Sequence, residues 1–312
     1  METKQTGKLM RGVGGLYEVL LTGSSCRVPA RARGELRHAG LSPLVGDEVE
    51  VLLTEKGDKT ETFAAIERVL PRKNALIRPP FANLDVLFLA VAASHPTPDL
   101  STLDKLLSIA EHEKIEPVLI IGKKDLDEEA AERLAALYRA AGFTVFVLSA
   151  KGGEGLSPLQ AYIGENLIGK TAAFAGASGV GKSTLMNALF PDLLLETGEI
   201  SRKIERGKHT TRRVELYPVP GLTDAFIADT PGFSMLDFVR FDFFPLSDLF
   251  DTMREFHPFA GACRYTKCTH TKEEGCAVLE AVRQGKIAPS RHQSYLLMYA
   301  ALKDKHEWSR KK

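Results

Sequence analysis

A multidomain α/β protein is predicted by three changes of texture along the 312 residues. Residues 1 to about 72 carry short strand-like runs and no persistent helical period. Apolar strands then alternate with amphipathic helices, the pattern of a parallel sheet with crossover helices. After about residue 240 the chain becomes helical and then cysteine-bearing. Domains usually hold about 100–200 residues, so two or three are expected.

The composition bounds the function. Apolar residues make up 44% and charged residues 26%, an ordinary globular balance that excludes wholesale disorder. Lys plus Arg total 41 against 40 Asp plus Glu, so the net charge of +1 makes no global case for nucleic acid or membrane. Any basic surface must be local. No stretch reaches the ~18 consecutive apolar residues of a membrane helix. The longest candidate, Leu84 to Ala93, has the length of a buried strand. The opening METKQTGKLM lacks the apolar centre of a signal peptide, and a cytoplasmic protein without membrane attachment is expected. Four cysteines do not make a disulfide framework in so long a chain, and three of them fall within Cys263–Cys276, which points to metal.

In the first region the runs Gly15–Leu21, Ser25–Val28 and Glu48–Leu53 are separated by Gly and polar residues, and a small β-barrel is their natural closure. Cys26 stands alone there and is expected in the barrel core. Pro71 to Pro80 reads as a linker, with three prolines and the basic residues Arg72, Lys73 and Arg78. Leu84–Val91 is a continuous apolar run, as in a strand covered on both faces. Leu100, Leu103, Leu106, Leu107 and Ala110 follow at helical spacing. Val118–Ile121 is a second strand, Glu128–Ala141 a helix closed by Gly142, and Phe143–Leu148 a third strand. Ser157 and Pro158 read as the cap and first residue of another helix. Thr171–Ala175 is a fourth strand, and Val214–Val219 and Phe226–Ala228 add two more. Residues 253–312 hold 12 Lys/Arg against 6 Asp/Glu, ending Arg310-Lys311-Lys312, although such a tail is commonly just solvated.

The strongest motif lies between the fourth strand and the next helix. Gly176, Ala177, Ser178, Gly179, Val180, Gly181, Lys182 and Ser183 satisfy GxxxxGK[ST] in full, and Thr184 follows. Glycines let the backbone curl so that its N–H groups face phosphate oxygens. Lys182 would reach the β- and γ-phosphates, and the Ser183 hydroxyl would bind Mg²⁺. Asp229-Thr230-Pro231-Gly232 ends a later strand. There Asp229 can hold Mg²⁺ through water and Gly232 can offer its N–H to the γ-phosphate.

Two further strand ends bear on the base. Lys123-Lys124-Asp125 follows Val118–Ile121, and Ser149-Ala150-Lys151 follows Phe143–Leu148. Ligands bind at the carboxyl ends of strands in open α/β sheets. The Asp125 carboxylate can accept from guanine N1–H and the exocyclic amine, a donor pair that adenine lacks. The Ala150 N–H can donate to guanine O6. Each motif alone also reads as an ordinary charged or polar loop; the pair favours GTP over ATP. The set resembles the motifs of small GTPases in permuted order, with the base-reading elements ahead of the P-loop.

Cys263, Cys268, His270 and Cys276 read C-x4-C-x-H-x5-C. Three thiolates and one imidazole make a closed tetrahedral zinc set, structural rather than catalytic.

With these motifs in place, nearly the whole chain resembles the RsgA family, circularly permuted GTPases of small ribosomal subunit biogenesis. The resemblance is carried by RARGELR (31–37), PLVGD (43–47), LPRKNALIRPPFANLD (70–85), GASGVGKSTLMN (176–187), GKHTT (207–211), DTPGF (229–233) and CRYTKCTHTKEEGC (263–276). It implies an OB-fold over residues 1–72 that binds RNA, a permuted GTPase domain over 73–240 and a helical zinc domain over 241–312. It further implies GTP and GDP with Mg²⁺, one structural Zn²⁺, a monomer acting on the small ribosomal subunit and its 16S rRNA, and hydrolysis stimulated by that subunit. Thr210 or Thr211 would complete the Mg²⁺ shell. Arg202, Lys203, Arg206, Lys208, Arg212 and Arg213 surround these threonines and suit phosphate-rich RNA, or form a solvated loop. Two positions depart from the family pattern. Gly122 stands where the base motif begins with Asn, and Phe233, which cannot orient water as a glutamine would, follows DTPG. An ATPase acting on nucleic acid and a non-enzymatic RNA adaptor are the competing readings. Asp125 argues against the first; Lys182, Ser183 and Asp229 argue against the second.

Overall fold

Alternation of inward and outward side chains closes the N-terminal region into a five-stranded barrel. Its strands are β1 (Glu2–Val13), β2 (Leu16–Leu21), β3 (Arg27–Ala32), β4 (Glu48–Thr54) and β5 (Phe63–Val69). They pair in the order 1-2-3-5-4, and β1 returns to β4. All pairs are antiparallel except β3–β5, the Greek-key closure of an OB-fold. Met10, Val19, Val28, Ala30, Val49, Val51, Ala64 and Ile66 fill its interior. β1 was not legible as a strand because its sequence, ETKQTGKLMRGV, is mostly polar. Pairing on both edges holds it. A register shift between Leu9 and Arg11 lets one long strand bend across the closure. Cys26 does not belong to the core. It lies in the turn before β3, ahead of the residues whose alternation faces inward, and is exposed.

The computed structural model describes residues 2–34, 36, 41–54, 63–191, 214–229 and 242–309. They pack into two compact units, the first drawn from Met1–Val86, Tyr162–Phe174 and Phe190–Gly232, and the second from Leu87–Ala161, Ala175–Leu189 and Phe233–Lys312.

In the first unit the expected linker is a fastened hairpin. β6 (Ala75–Leu76) and β7 (Phe81–Ala82) pair antiparallel. Asn74 accepts from the Leu84 amide at 2.9 Å and donates to the Leu84 carbonyl at 2.7 Å. Asn83 accepts from Lys73 N at 2.9 Å and donates to Gly46 O at 3.0 Å. Gly46 has φ +92°, and a Cβ there would stand 2.0 Å from Ala82 O, so no other residue fits this junction. Next to it the buried Asp47 carboxylate takes two bonds from Arg72, at 2.7 and 2.8 Å, and one from Leu44 N at 2.7 Å. Prolines alone suggested a loose segment; these polar clamps make it rigid.

The same unit contains the first four residues of β11 (Thr171–Gly176), which run parallel to β13 (Phe226–Asp229). β12 (Glu215–Pro218) runs antiparallel to β13. It does not extend the parallel set, because a crossover needs about a dozen residues and the chain from Pro218 to Phe226 is too short for one. β12 also meets β1 at Glu215 and Arg11. Arg27 reinforces that joint through Glu215, at 3.7 Å.

The second unit carries β8 (Val86–Ala92), β9 (Glu116–Gly122) and β10 (Thr144–Val147), with β9 and β10 parallel. Helix α1 (Leu100–His112) is capped by Asp99, which accepts from Thr102 N. Helix α2 (Glu128–Ala140) is capped the same way by Asp127, and Gly142 follows its end at φ +89°. Helix α3 (Leu156–Asn166) starts before the expected Ser157 cap, placing Pro158 in its first turn, where no amide bond is lost. Helix α4 (Lys182–Leu189) follows the glycine-rich turn. Short 3-10 turns from Leu246 to Phe259 lead to the cysteine segment, α5 (Ala277–Arg283) and α6 (Pro289–Ser309). No helix among the described residues is long and apolar enough to cross a membrane.

A buried ion cluster ties α6 to this unit. Arg291, fully enclosed, bonds Asp104 of α1 at 2.6 Å and Glu255 at 2.6 Å. Tyr138 of α2 donates to the same Asp104 oxygen at 2.8 Å. Burial pushes the Asp104 carboxyl up, and the Arg291 charge opposes that shift. Removing one partner strands the others without water. Arg291→Ala is therefore expected to cost about 3–5 kcal/mol in urea unfolding, with Arg291→Lys between it and the parent. An unchanged midpoint for Arg291→Ala would show that the cluster does not hold α6.

Candidate nucleotide and metal sites

The turn between β11 and α4 is shaped by two close constraints. A Cβ on Gly176 would lie 2.5 Å from Ala90 O of β8, so the strand passes as glycine. Gly181 has φ +95°, which turns the chain into the helix. Val180 is buried with Ala90 and Ala92 and pins the middle of the loop. Ala177, Ser178 and Gly179 stay exposed around it, and Lys182, Ser183 and Thr184 form the first turn of α4. The first amides of a helix have no acceptor within it, so this turn offers N–H groups to an anion.

Lys123 braces the loop. Its backbone is left-handed, at φ 59°, and its Nζ donates to Gly179 O at 2.7 Å and His95 O at 2.6 Å. The carboxyl ends of β8 and β9 and the P-loop are thereby held by one ammonium group. A Cβ on Gly122 would lie 3.7 Å from Val180 O, so a side chain has room there.

The base-side loops lie in the same unit. Asp125 is exposed on a single 3-10 turn, with no hydrogen-bond or ion-pair partner among the described residues. Ser149 is buried, donates its amide to Glu154 O at 2.8 Å and accepts from Gly152 N at 3.4 Å. Ala150 and Lys151 continue the turn. Lys124 joins the two loops: its amide reaches Leu148 O at 3.2 Å and its Nζ reaches Glu154 at 2.6 Å. Sequence reasoning missed Glu154; its only signal is a charge inside the glycine-rich run after Ser149-Ala150-Lys151. Asp229 is the last residue of β13 in the first unit. Thr210, Thr211, Gly232, Phe233 and the basic run Arg202–Arg213 lie outside the described residues.

Cys263, Cys268, His270 and Cys276 converge as their spacing predicts, with all four donor atoms within 4.8 Å of one another. His270 Nδ1 lies 3.6 Å from Cys263 Sγ and 3.5 Å from Cys276 Sγ, and the two sulfurs are 3.9 Å apart. Zinc ligands at about 2.0–2.3 Å on a tetrahedron stand roughly 3.3–3.8 Å apart, so the set fits that ion. Ala277 N donates to Cys263 Sγ at 3.3 Å and Leu279 N to Cys276 Sγ at 3.5 Å. Burial pushes the Cys276 thiol up, and the Leu279 amide opposes that shift.

The supporting shell was not legible. His270 is left-handed at φ 57°. Its carbonyl accepts from His292 Nε2 at 2.8 Å, and Tyr295 OH donates to Thr269 O at 2.9 Å. Glu273 accepts from Thr269 N at 2.8 Å, Thr271 N at 3.0 Å, Lys272 N at 3.1 Å and the Thr269 hydroxyl. Partial burial raises its carboxyl, but these bonds outweigh that effect and hold it at about 2. The run Lys272-Glu273-Glu274 hinted at charge, not at which acid turns inward.

An OB barrel, a P-loop following the base-side loops in chain order and a Cys3His cluster define a circularly permuted P-loop GTPase, a GTP-hydrolysing enzyme. Comparison with known proteins then narrows the class. The family model described as RsgA GTPase matches residues 69–239, and that for the RsgA N-terminal domain matches residues 6–60. A small ribosomal subunit biogenesis GTPase RsgA of Alkaliphilus metalliredigens is 41% identical over 298 residues, covering 95% of this chain and 97% of the relative. One from Ruminiclostridium cellulolyticum is 38% identical over 308 residues, covering 99% and 97%. YjeQ from Thermotoga maritima superposes with TM-score 0.76 at 31% identity, over 96% of this chain and 99% of that structure. YloQ, described as a circularly permuted GTPase, gives 0.74 at 32% identity, over 97% and 96%. This chain belongs to the RsgA GTPase family.

The metal set makes its own prediction. Co²⁺ added to chelator-treated protein should produce thiolate-to-metal charge-transfer absorption, and Zn²⁺ should raise the Tm of the same sample. Cys276→Ser should weaken both responses. Equal responses from Cys276→Ser would place the ion elsewhere.

Proposed function

We propose that this protein binds the small ribosomal subunit and assists its late maturation, hydrolysing GTP to GDP and phosphate at a rate the subunit stimulates. The carrying observation is the joining of the P-loop to the Asp125 and Ser149 loops through Lys123 and Lys124. The names of the relatives, small ribosomal subunit biogenesis GTPases, support the partner.

In this reading Gly176–Thr184 cradle the phosphates, Lys182 meets the β- and γ-phosphates, and Ser183 with Asp229 and Thr210 or Thr211 holds Mg²⁺. Gly232 offers its amide to the γ-phosphate. Lys123, Asp125, Ser149, Ala150 and Lys151 take the guanine. Bound Mg²⁺ neutralises charge on the phosphates, and the chain's own residues orient them. Cys263, Cys268, His270 and Cys276 hold one structural Zn²⁺. The working division is an RNA-binding barrel over 1–72, a GTPase domain over 73–240 and a zinc domain over 241–312, in a cytoplasmic monomer whose RNA partner is 16S rRNA.

The test is GTP hydrolysis with and without purified small and large subunits. The small subunit should raise turnover and the large one should not, while Lys182→Ala loses both basal and stimulated hydrolysis. Equal rates with and without small subunits would reject the partner.

Base selection is tested separately. Asparagine at 125 would present an amide to the carbonyl that xanthine carries where guanine has its amine. Asp125→Asn should lose affinity for GTP about tenfold or more and gain XTP, since a charge-assisted hydrogen bond contributes about 1.5–3 kcal/mol. Competition binding that still favours GTP as strongly as the parent would remove Asp125 from the base site.

A further inference from the structure

The described cations differ in how far acids occupy them. In the barrel most of them face glutamates: Lys4 and Arg33 pair with Glu67, Lys8 with Glu48, Arg68 with Glu50, and Arg11 and Arg27 with Glu18 and Glu215, while Arg31 lies over the Phe63 ring. The loop between the first two metal-set cysteines differs. Arg264, Tyr265, Thr266 and Lys267 are all exposed, and Tyr265 keeps 49% of its surface open. Arg264, Lys267 and Lys272 have no acid partner among the described residues. Of the two acids in the segment, Glu273 is occupied by loop amides and only Glu274 stands open.

This loop is also rigid. Arg264 N donates to Gly275 O at 2.9 Å, and Cys268 N closes a turn onto Tyr265 O at 3.2 Å. The cysteines on either side converge on the metal set. Inside the turn the Arg264 guanidinium lies 5.5 Å from the Tyr265 ring centre, which supports the ring from one side. An exposed aromatic held on a short, fixed turn loses little entropy when a flat ligand stacks on it, and flanking cations suit a ligand that carries phosphates.

We propose that Tyr265 is a stacking platform for an unpaired base of single-stranded RNA, with Arg264, Lys267 and Lys272 contacting its backbone phosphates. This deepens the reading of an RNA-containing partner and rests on it. A protein partner with an acidic face would use the cations but would not need the ring, and that difference decides the test.

The full-length, zinc-loaded chain is titrated with a fluorescein-labelled oligouridylate of about 12 nucleotides, a length within the usual range of such sites. Tyr265→Ala should weaken binding about 5- to 150-fold, the range of one base–aromatic stack, while Tyr265→Trp and Tyr265→Phe retain it. Lys267→Gln should lower the slope of log affinity against log salt by about 0.7, one phosphate contact on a single strand. With 4-thiouridine in the probe, photo-crosslinks should map to the 264–267 peptide. Zinc content and basal hydrolysis of each variant establish that it is folded. Parent-like RNA binding by Tyr265→Ala, or crosslinks confined to other segments, would overturn the platform. So would parent binding to polyglutamate that Lys267→Gln weakens while RNA binding stays unchanged. Small-subunit stimulation that persists in Tyr265→Ala alongside undiminished RNA affinity rejects the platform and leaves the proposed function standing. A platform that binds RNA in a protein insensitive to small subunits rejects the proposed function instead.

Discussion

One ammonium group holds the P-loop in order. Lys123 leaves the end of β9 in a left-handed conformation that sends its chain back across the P-loop. From there it bonds the carbonyls of Gly179 and His95. The glycine-rich loop and the exposed turn at His95 would otherwise depend on their own weak turns. A charged donor shared between two backbone acceptors forms stronger bonds than neutral pairs. The loop that carries the GxxxxGK[ST] motif is thus shaped beforehand, which lowers the ordering cost of binding an anion.

A second constraint works in the same unit. Helix α6 presents Arg291, His292 and Tyr295 in just over one turn, with two tasks. Arg291 enters the buried cluster with Asp104 and Glu255, while His292 and Tyr295 grip the carbonyls of His270 and Thr269. The Cys3His set and helix α1 are thereby connected through a single helix. The short cysteine segment has little apolar surface of its own, so its order comes from the donor set, Glu273 and this helix.

The barrel in the first unit is fastened by polar groups as much as by its core. Asp47 and Arg72, Asn74 and Asn83, and the bare Gly46 lock the hairpin that follows it. Each of these residues lies in a motif by which the chain resembles its family. Their geometry supplies a structural reason for the motif: a buried carboxylate and two buried amides are tolerated because their hydrogen bonds are met.

The sequence by itself determined the P-loop, the alternation of β8 to α4, the loops at the ends of β9 and β10 and the Cys3His set. All of these depend on spacing along the chain: a helical period, a strand-to-turn-to-helix order, four ligands within fourteen residues. Only the tertiary structure decided what depends on a distant partner. Polar β1 is a strand because other strands pair with it along both edges, and β12 reverses because its connection is short. Cys26 is exposed because it precedes the inward alternation of β3. Arg291 and Asp104, 187 residues apart, share a buried bond that neither local sequence announces. A charge reads as surface until the fold encloses its partner, since burial of an ion is stable only when the opposite charge is enclosed with it.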